Sequence, residues 1–424
     1  MKRIFQIIES NKVLFKNFTS LSILQFANYI FPLITLPYLV RVLGPEKYGL
    51  INFAAAFTAY FSIITDYGFN LSATQEISVN RNDKQKVSEI FSSVIASKLI
   101  LFVVSTILFF ICLISFDIFK TDIALFIVSY IGLIGPILFP LWYFQGSEKM
   151  NFILIISFIV KLLTMICIFL FIKNFSDYLL LAAIYSSSQI VYGALGFSFI
   201  LKKFNVRLFK PSLNTIIEQL KVSKNIFVSS LSISIISNSN VFILGLFVDK
   251  STVGYFAAAD KIRLAFQSML GPIFTATFPH VSKLAKESLK LFYRFNKKSF
   301  VITSTFSLLI FFIIFLNAEN FVRIILGNEY KDSIIILKIL SLIPFLYSIS
   351  NFLGVQVLIP LNYTKKYRTI MFIALIVHST FAFILALYYQ AIGSSIAIIF
   401  VELFTIVLLF MSIKKIKMNR LCLK

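Results

Sequence analysis

The stretch AADKIRLAF (258–266) places Asp260, Lys261 and Arg263 within one helical turn, inside an otherwise apolar run from Val253 to Pro279. That run is long enough to cross a bilayer. A charge at the centre of a membrane helix costs about 2.5–3.5 kcal/mol on insertion scales, so it faces protein or water and marks a path for an ion or a charged substrate. On a helix Asp260, Arg263 and Gln267 share one face, while Lys261 projects roughly 100° away from Asp260. Asp260 and Arg263 are placed to neutralise each other; Lys261 needs another partner, a hydrated cavity or a place at the outer interface. Lys161 lies about nine residues into its own apolar run, too deep to snorkel easily, and reads either as a cavity cation or as half of a structural ion pair. Lys98 and Lys338 sit about two turns from the ends of their runs and are within snorkelling reach. Asp66, Glu402 and His378 lie well inside apolar runs and are able to titrate, and Arg41 borders the first run, at a cavity mouth or the interface.

Uncharged polar residues cluster beside these charges. Gln25 and Asn28 precede Pro32 and Pro37, which should bend their helix. Ser230, Ser234, Ser237 and Asn238 recur near helical spacing, as either a packing stripe or a cavity lining. The stretch YSSSQIVY (185–192) offers hydroxyls and two Tyr to a sugar. No acid pair, nucleophile–His–acid set or phosphate loop stands out, so an enzyme is not expected. With two His and three Cys outside metal-ligand spacing, no metal site and no cofactor is expected either.

The elements that must hold these residues follow from composition. Of 424 residues 58% are hydrophobic and 14% charged, and mean hydropathy is +0.90, too few charges to coat a soluble fold of this length. The chain is therefore an all-α membrane protein. Apolar runs at 18–40, 50–72, 92–115, 122–143, 152–172, 178–201, 224–248, 253–279, 299–317, 333–360, 369–389 and 391–413 predict about twelve transmembrane helices. The last two are separated so narrowly that a tight turn at Gly393 is expected to reverse the chain. Counting from an inside N-terminus, inside segments carry 28 Lys and Arg against 7 outside, which puts both termini in the cytoplasm. The basic start lacks a cleavage site and reads as a retained segment. The net charge of +22 thus reflects topology beside anionic lipid, with no role for nucleic acid.

An internal repeat organises the spans. VLGPEKYGLINFAAAF (42–57) and FVDKSTVGYFAAADKI (247–262) align at an offset of 205 residues, with Gly49 on Gly254 and Phe53-Ala54 on Ala258-Ala259. Six spans per half give two lobes of equal orientation, 1–210 and 211–424, related by a pseudo-two-fold axis along the membrane normal with a cavity between them.

The segments PLITLPYLVRVLGPEKYGLINFAAAFTAYFSIITDYGFNLSATQEIS (32–78) and VGYFAAADKIRLAFQSMLGPIFTATFPHVSKL (253–284) resemble bacterial polysaccharide flippases, the Wzx-type O-antigen translocases. The resemblance spans essentially the whole chain. It implies the MATE-like fold of the multidrug/oligosaccharidyl-lipid/polysaccharide superfamily, two six-helix lobes working by alternating access in the bacterial inner membrane. It also implies the cargo, an oligosaccharide repeat unit on undecaprenyl pyrophosphate, and assembly partners such as a polymerase and a chain-length regulator. Arg41, Gly49, Asp66, Gly68, Thr74 and Glu76 fall on the first motif and Lys261 on the second, whereas Gln75 stands where the family would have Arg. Under this reading Lys161, Lys261, Arg263, Lys98 and Arg41 attract the anionic cargo, and Gln25, Asn28, Ser230, Ser234 and Asn238 line its passage. Asp66, Asp260 and Glu402 exchange a coupling ion, a proton in the first instance and Na+ as the alternative. The rivals are a multidrug extruder, which would favour acids over bases, a peptidoglycan-precursor flippase, which resembles this chain but has 14 spans, and a membrane polymerase or ligase, which would need a large outer loop.

Overall fold

A computed structural model describes residues 12–204 and 206–421, and every regular element among them is a helix. That is what a bilayer demands of this composition, because a helix satisfies its own backbone polar groups where no water can. Eight helical stretches among the described residues are long and apolar enough to cross a membrane, and α9 (Leu213–Phe247) adds the shorter apolar stretch Asn238–Phe247. Two of the eight far exceed one crossing. Ile23–Asn80, 58 residues, is interrupted at Gly44 (φ 66°) and again at Tyr67 and Gly68; Thr364–Lys415, 52 residues, is interrupted at Gln390 (φ 50°).

The last interruption corrects an expectation. The chain reverses at Gln390, while Gly393 is helical and serves packing: a Cβ there would sit 1.9 Å from the Leu385 carbonyl oxygen.

Two compact units account for the chain, and neither is continuous in sequence. One comprises the described residues up to Thr35 with Ala54–Ser234; the other comprises Leu36–Phe53 with the described residues from Ile235 onward. Helix α1 (Lys12–Asp66) and helix α9 therefore each contribute to both.

The first unit contains α2 (Phe69–Asn80), α3 (Lys84–Ser115), α4 (Ile123–Ile131), α5 (Ile134–Leu138), α6 (Leu141–Gly146), α7 (Met150–Phe171) and α8 (Tyr178–Lys203). Its core gathers Phe69 and Ile77 of α2, Phe91 of α3 and Trp142 and Phe144 of α6, all fully buried. Helices α5 and α8 meet backbone to backbone. A Cβ on Gly135 would lie 2.1 Å from the Gln189 carbonyl oxygen, and one on Gly193 would lie 2.3 Å from that of Gly135, the close approach that small residues permit between membrane helices. The segment after α8 is pinned by its backbone: the N–H groups of Arg207 and Phe209 donate to Ser88 and Ser92 of α3 at 3.2 and 2.9 Å. In the loop before α8, Asp177 accepts the Lys173 and Asn174 N–H groups at 2.8 Å each, which holds its carboxyl below the usual range.

The second unit contains α10 (Lys250–Ser268), α11 (Gly271–Glu287), α12 (Leu289–Phe321), α13 (Ser333–Leu340), α14 (Ile343–Asn351) and α15 (Thr364–Leu421). Here the sequence repeat meets itself. A Cβ on Gly49 would lie 1.8 Å from the Lys250 carbonyl oxygen, and a Cβ on Gly254 would lie 2.0 Å from that of Pro45. Pro45 and Lys250 are themselves separated by the repeat offset, so the contact is reciprocal: each glycine faces the carbonyl four residues before the other. Lys250 completes this crossing by donating to the Gly245 carbonyl at 2.8 Å with its ammonium 4.2 Å above the Phe53 ring.

Candidate functional site

Three helices of the first unit turn polar stripes toward one space. Asn28 comes from α1; Ser157 and Lys161 come from α7 at i, i+4; Tyr185, Gln189 and Tyr192 come from α8 at i, i+4, i+7. The spacing keeps each set on one helix face. Together they line a cavity of about 380 Å³, near the lower end of small-molecule pockets.

The cation among the residues lining this cavity is Lys161. Its ammonium donates to Asn28 Oδ1 at 2.6 Å, and among the described residues no carboxylate pairs with it. The ion-pair reading of Lys161 therefore gives way to a neutral amide partner. An ammonium has three donors, so two of them are left without a partner among the described residues. The remaining polar groups divide cleanly. Thr35, Thr164 and Ser188 donate to carbonyls of their own helices, at 3.2, 2.7 and 2.7 Å. The side chains of Ser157, Tyr185, Gln189 and Tyr192 make no hydrogen bond among the described residues.

A second charged cluster lies in the other unit. Arg263 Nε donates to Asp260 Oδ1 at 2.7 Å, and its Nη1 donates to Gln267 Oε1, as the shared helix face requires. Glu402 on α15 accepts the Ser350 hydroxyl at 2.8 Å. His378, also on α15 and buried, has its Nε2 3.1 Å from the Ser239 hydroxyl and 3.3 Å from the Asn240 amide nitrogen.

The other sequence-predicted residues are scattered. Lys98 and Asp66 bind each other at 3.2 Å, with the lysine side chain only 3% exposed, so two residues given separate roles form one ion pair. Lys261 is exposed and has no partner among the described residues, and Lys338 is partly buried. Arg41 is exposed and donates to the Ile324 carbonyl, in the same unit as Gly254. Gln25 is exposed, Ser234 and Asn238 are partly buried, and the side chains of Ser230 and Ser237 lie outside the described ones. Glu76 and Thr74 of the first motif are engaged within the first unit: Glu76 accepts the Gln219 amide at 2.8 Å, and Thr74 donates to the Asn70 carbonyl at 2.6 Å. Ser157 and Gln189 were not singled out from sequence. The available signal was their i, i+4 register with Lys161 and Tyr185.

With the geometry in view, the chain resembles known proteins along its whole length. The family described as polysaccharide biosynthesis protein matches residues 14–285. A protein of Escherichia coli (strain K12) provisionally named an O-antigen transporter is 33% identical over 416 residues, covering 97% of this chain and 99% of that protein. A protein of Shigella dysenteriae with the same provisional name is 32% identical over 405 residues, covering 94% and 100%. Among solved structures, the lipid II flippase MurJ in an inward closed conformation has a TM-score of 0.77 at 16% identity, covering 94% of this chain and 87% of that one. An inward-facing multidrug resistance MATE family transporter of the MOP superfamily has a TM-score of 0.73 at 18% identity, covering 91% and 95%. The fold is thus the MATE-like fold of MOP-superfamily transporters, in a multi-pass membrane protein.

Proposed function

The chain belongs to the polysaccharide biosynthesis protein family, and from that premise we propose that it is a flippase for a lipid-linked polysaccharide precursor. The cargo is an oligosaccharide repeat unit on undecaprenyl pyrophosphate, carried from the cytoplasmic to the outer leaflet of the inner membrane by alternating access. One observation carries the reading: Lys161 lines a cavity of mixed polar and apolar residues, with a neutral amide partner and, among the described residues, no carboxylate beside it. Such a cation keeps its attraction for a phosphate or an acidic sugar, and a low local dielectric strengthens that attraction. The same cation disfavours an organic cation as cargo.

The remaining roles extend this reading. Lys261, exposed, gives an anionic cargo a second contact, and Arg41 borders the passage. The acids Asp260, paired with Arg263, and Glu402 are the sites for a coupling ion, a proton first. Asp66 belongs to this set only if its pair with Lys98 opens during transport. A polymerase or chain-length regulator would receive the exported unit.

The test uses the purified protein in sealed vesicles with a fluorescent prenyl-pyrophosphate glycan in both leaflets, read by bleaching of the outer leaflet. Wild type should expose the inner pool to the bleach, and Lys161→Ala and Lys261→Ala should stop that exposure while Arg at either position partly restores it. Wild-type vesicles that bleach no further than protein-free ones would rule out the flippase reading.

A further inference from the structure

The cavity's hydrogen-bonding groups are unevenly matched. Among the described residues, two N–H groups of Lys161 have no acceptor, the side chains of Gln189, Ser157, Tyr185 and Tyr192 make no hydrogen bond, and no carboxylate lines the space. A cation with unused donors, beside an amide and hydroxyls that both donate and accept, matches an oxyanion flanked by hydroxyls. Parts of the site are also held in place before any ligand arrives. Asn28 fixes the ammonium at 2.6 Å, and the Tyr192 ring stacks on Phe139 with centroids 3.8 Å apart. The backbone of Gln189 is set by its close approach to Gly135. Preorganisation of this kind lowers the ordering cost of binding.

Size narrows the occupant. About 380 Å³ holds roughly a dozen waters at ~30 Å³ each, enough for one acidic sugar or one phosphate group with its neighbouring hydroxyls. A whole repeat unit with its polyprenyl chain exceeds that volume.

Resting on the flippase reading and deepening it, we propose that the pocket formed by Lys161, Gln189, Tyr185, Tyr192 and Ser157 is a subsite that grips one oxyanion-bearing residue of the cargo. The rest of the glycan and the lipid stay outside it. The shared chemistry is the oxyanion; its source is either the carrier's pyrophosphate or an acidic sugar.

Equilibrium binding to the full chain in lipid nanodiscs separates these sources. Three fluorescent probes serve: a bare prenyl pyrophosphate, the same lipid with a neutral disaccharide, and the same lipid with a disaccharide containing a uronic acid. Lys161→Met should weaken binding about 100-fold, and Gln189→Leu and Tyr192→Phe about tenfold each, as for lost hydrogen bonds to a charged group. Equal weakening for all three probes assigns the oxyanion to the pyrophosphate; weakening confined to the uronate probe assigns it to the sugar acid. Either result supports the subsite. Tyr192→Phe removes one oxygen only and keeps the test open if a larger change impairs folding. The subsite is overturned if the variants bind every probe within twofold of wild type, or if they lose affinity for both glycans equally while binding the bare lipid normally. If wild type itself binds no probe, the carrier-lipid reading falls and takes the subsite with it.

Discussion

Each compact unit shields a cation from solvent, Arg263 buried and Lys161 half-buried, and the two are treated in opposite ways. In the second unit Arg263 is held between Asp260 and Gln267, with its side chain 10% exposed and its charge answered on its own helix. In the first unit Lys161 donates to an amide oxygen, lines a cavity and has no carboxylate partner among the described residues. A compensated buried cation contributes to folding and has little attraction left for a ligand; removing its partner is what costs energy. An uncompensated one burdens the fold and is retained where it has work to do. Lys98, paired with Asp66 inside the first unit, shows that this difference follows local pairing and not the unit as a whole.

This contrast can be broken experimentally, and the largest effect is expected in the second unit. Asp260→Ala should cost about 3–5 kcal/mol by leaving Arg263 buried without its acid, seen as a lower melting temperature of the purified protein; the double variant with Arg263→Gln should recover most of it. If Asp260→Ala melts like wild type, Arg263 is not the compensated cation described here. Gly254→Ala should follow at about 1–3 kcal/mol, because its methyl group meets the Pro45 backbone and not a side chain that can move aside. Lys161→Met should behave oppositely to Asp260→Ala: export is lost while melting is unchanged or raised. A Lys161→Met protein that unfolds early would make Lys161 structural. Ser350→Ala, which removes one hydrogen bond to Glu402, should cost about 1 kcal/mol at most. Glu402→Gln should barely alter melting but should flatten the pH dependence of transport; an unchanged profile removes Glu402 from ion coupling.

Local chemistry was legible wherever the partners lie within a helical turn or two. The Asp260–Arg263–Gln267 face follows from i, i+3 and i, i+4 spacing and is found as expected. Lys161 was recognisable as a deep lysine, and the Tyr185–Tyr192 stretch as a sugar-contacting candidate. Pairings between helices were not legible: Lys98 and Asp66 are 32 residues apart, and Lys161 and Asn28 are 133 apart. Nothing in either local sequence names the other. The reversal was misplaced for a related reason. Gly393 looks like a turn residue by type, yet its missing Cβ is spent on the approach to Leu385, while Gln390 takes the left-handed backbone.

The amino-acid order alone determined the solvent, the helical class, the repeat offset of 205 residues and which charges lie deep, because apolar length and helical periodicity are properties of single segments. Only the tertiary structure decided which of those charges are spent on one another and which remain available. It also decided that Gly49 and Gly254, equivalent in the repeat, face each other's backbones across one crossing. Pairing is a matter of a few ångströms between distant segments, and packing is the only physical process that sets such distances.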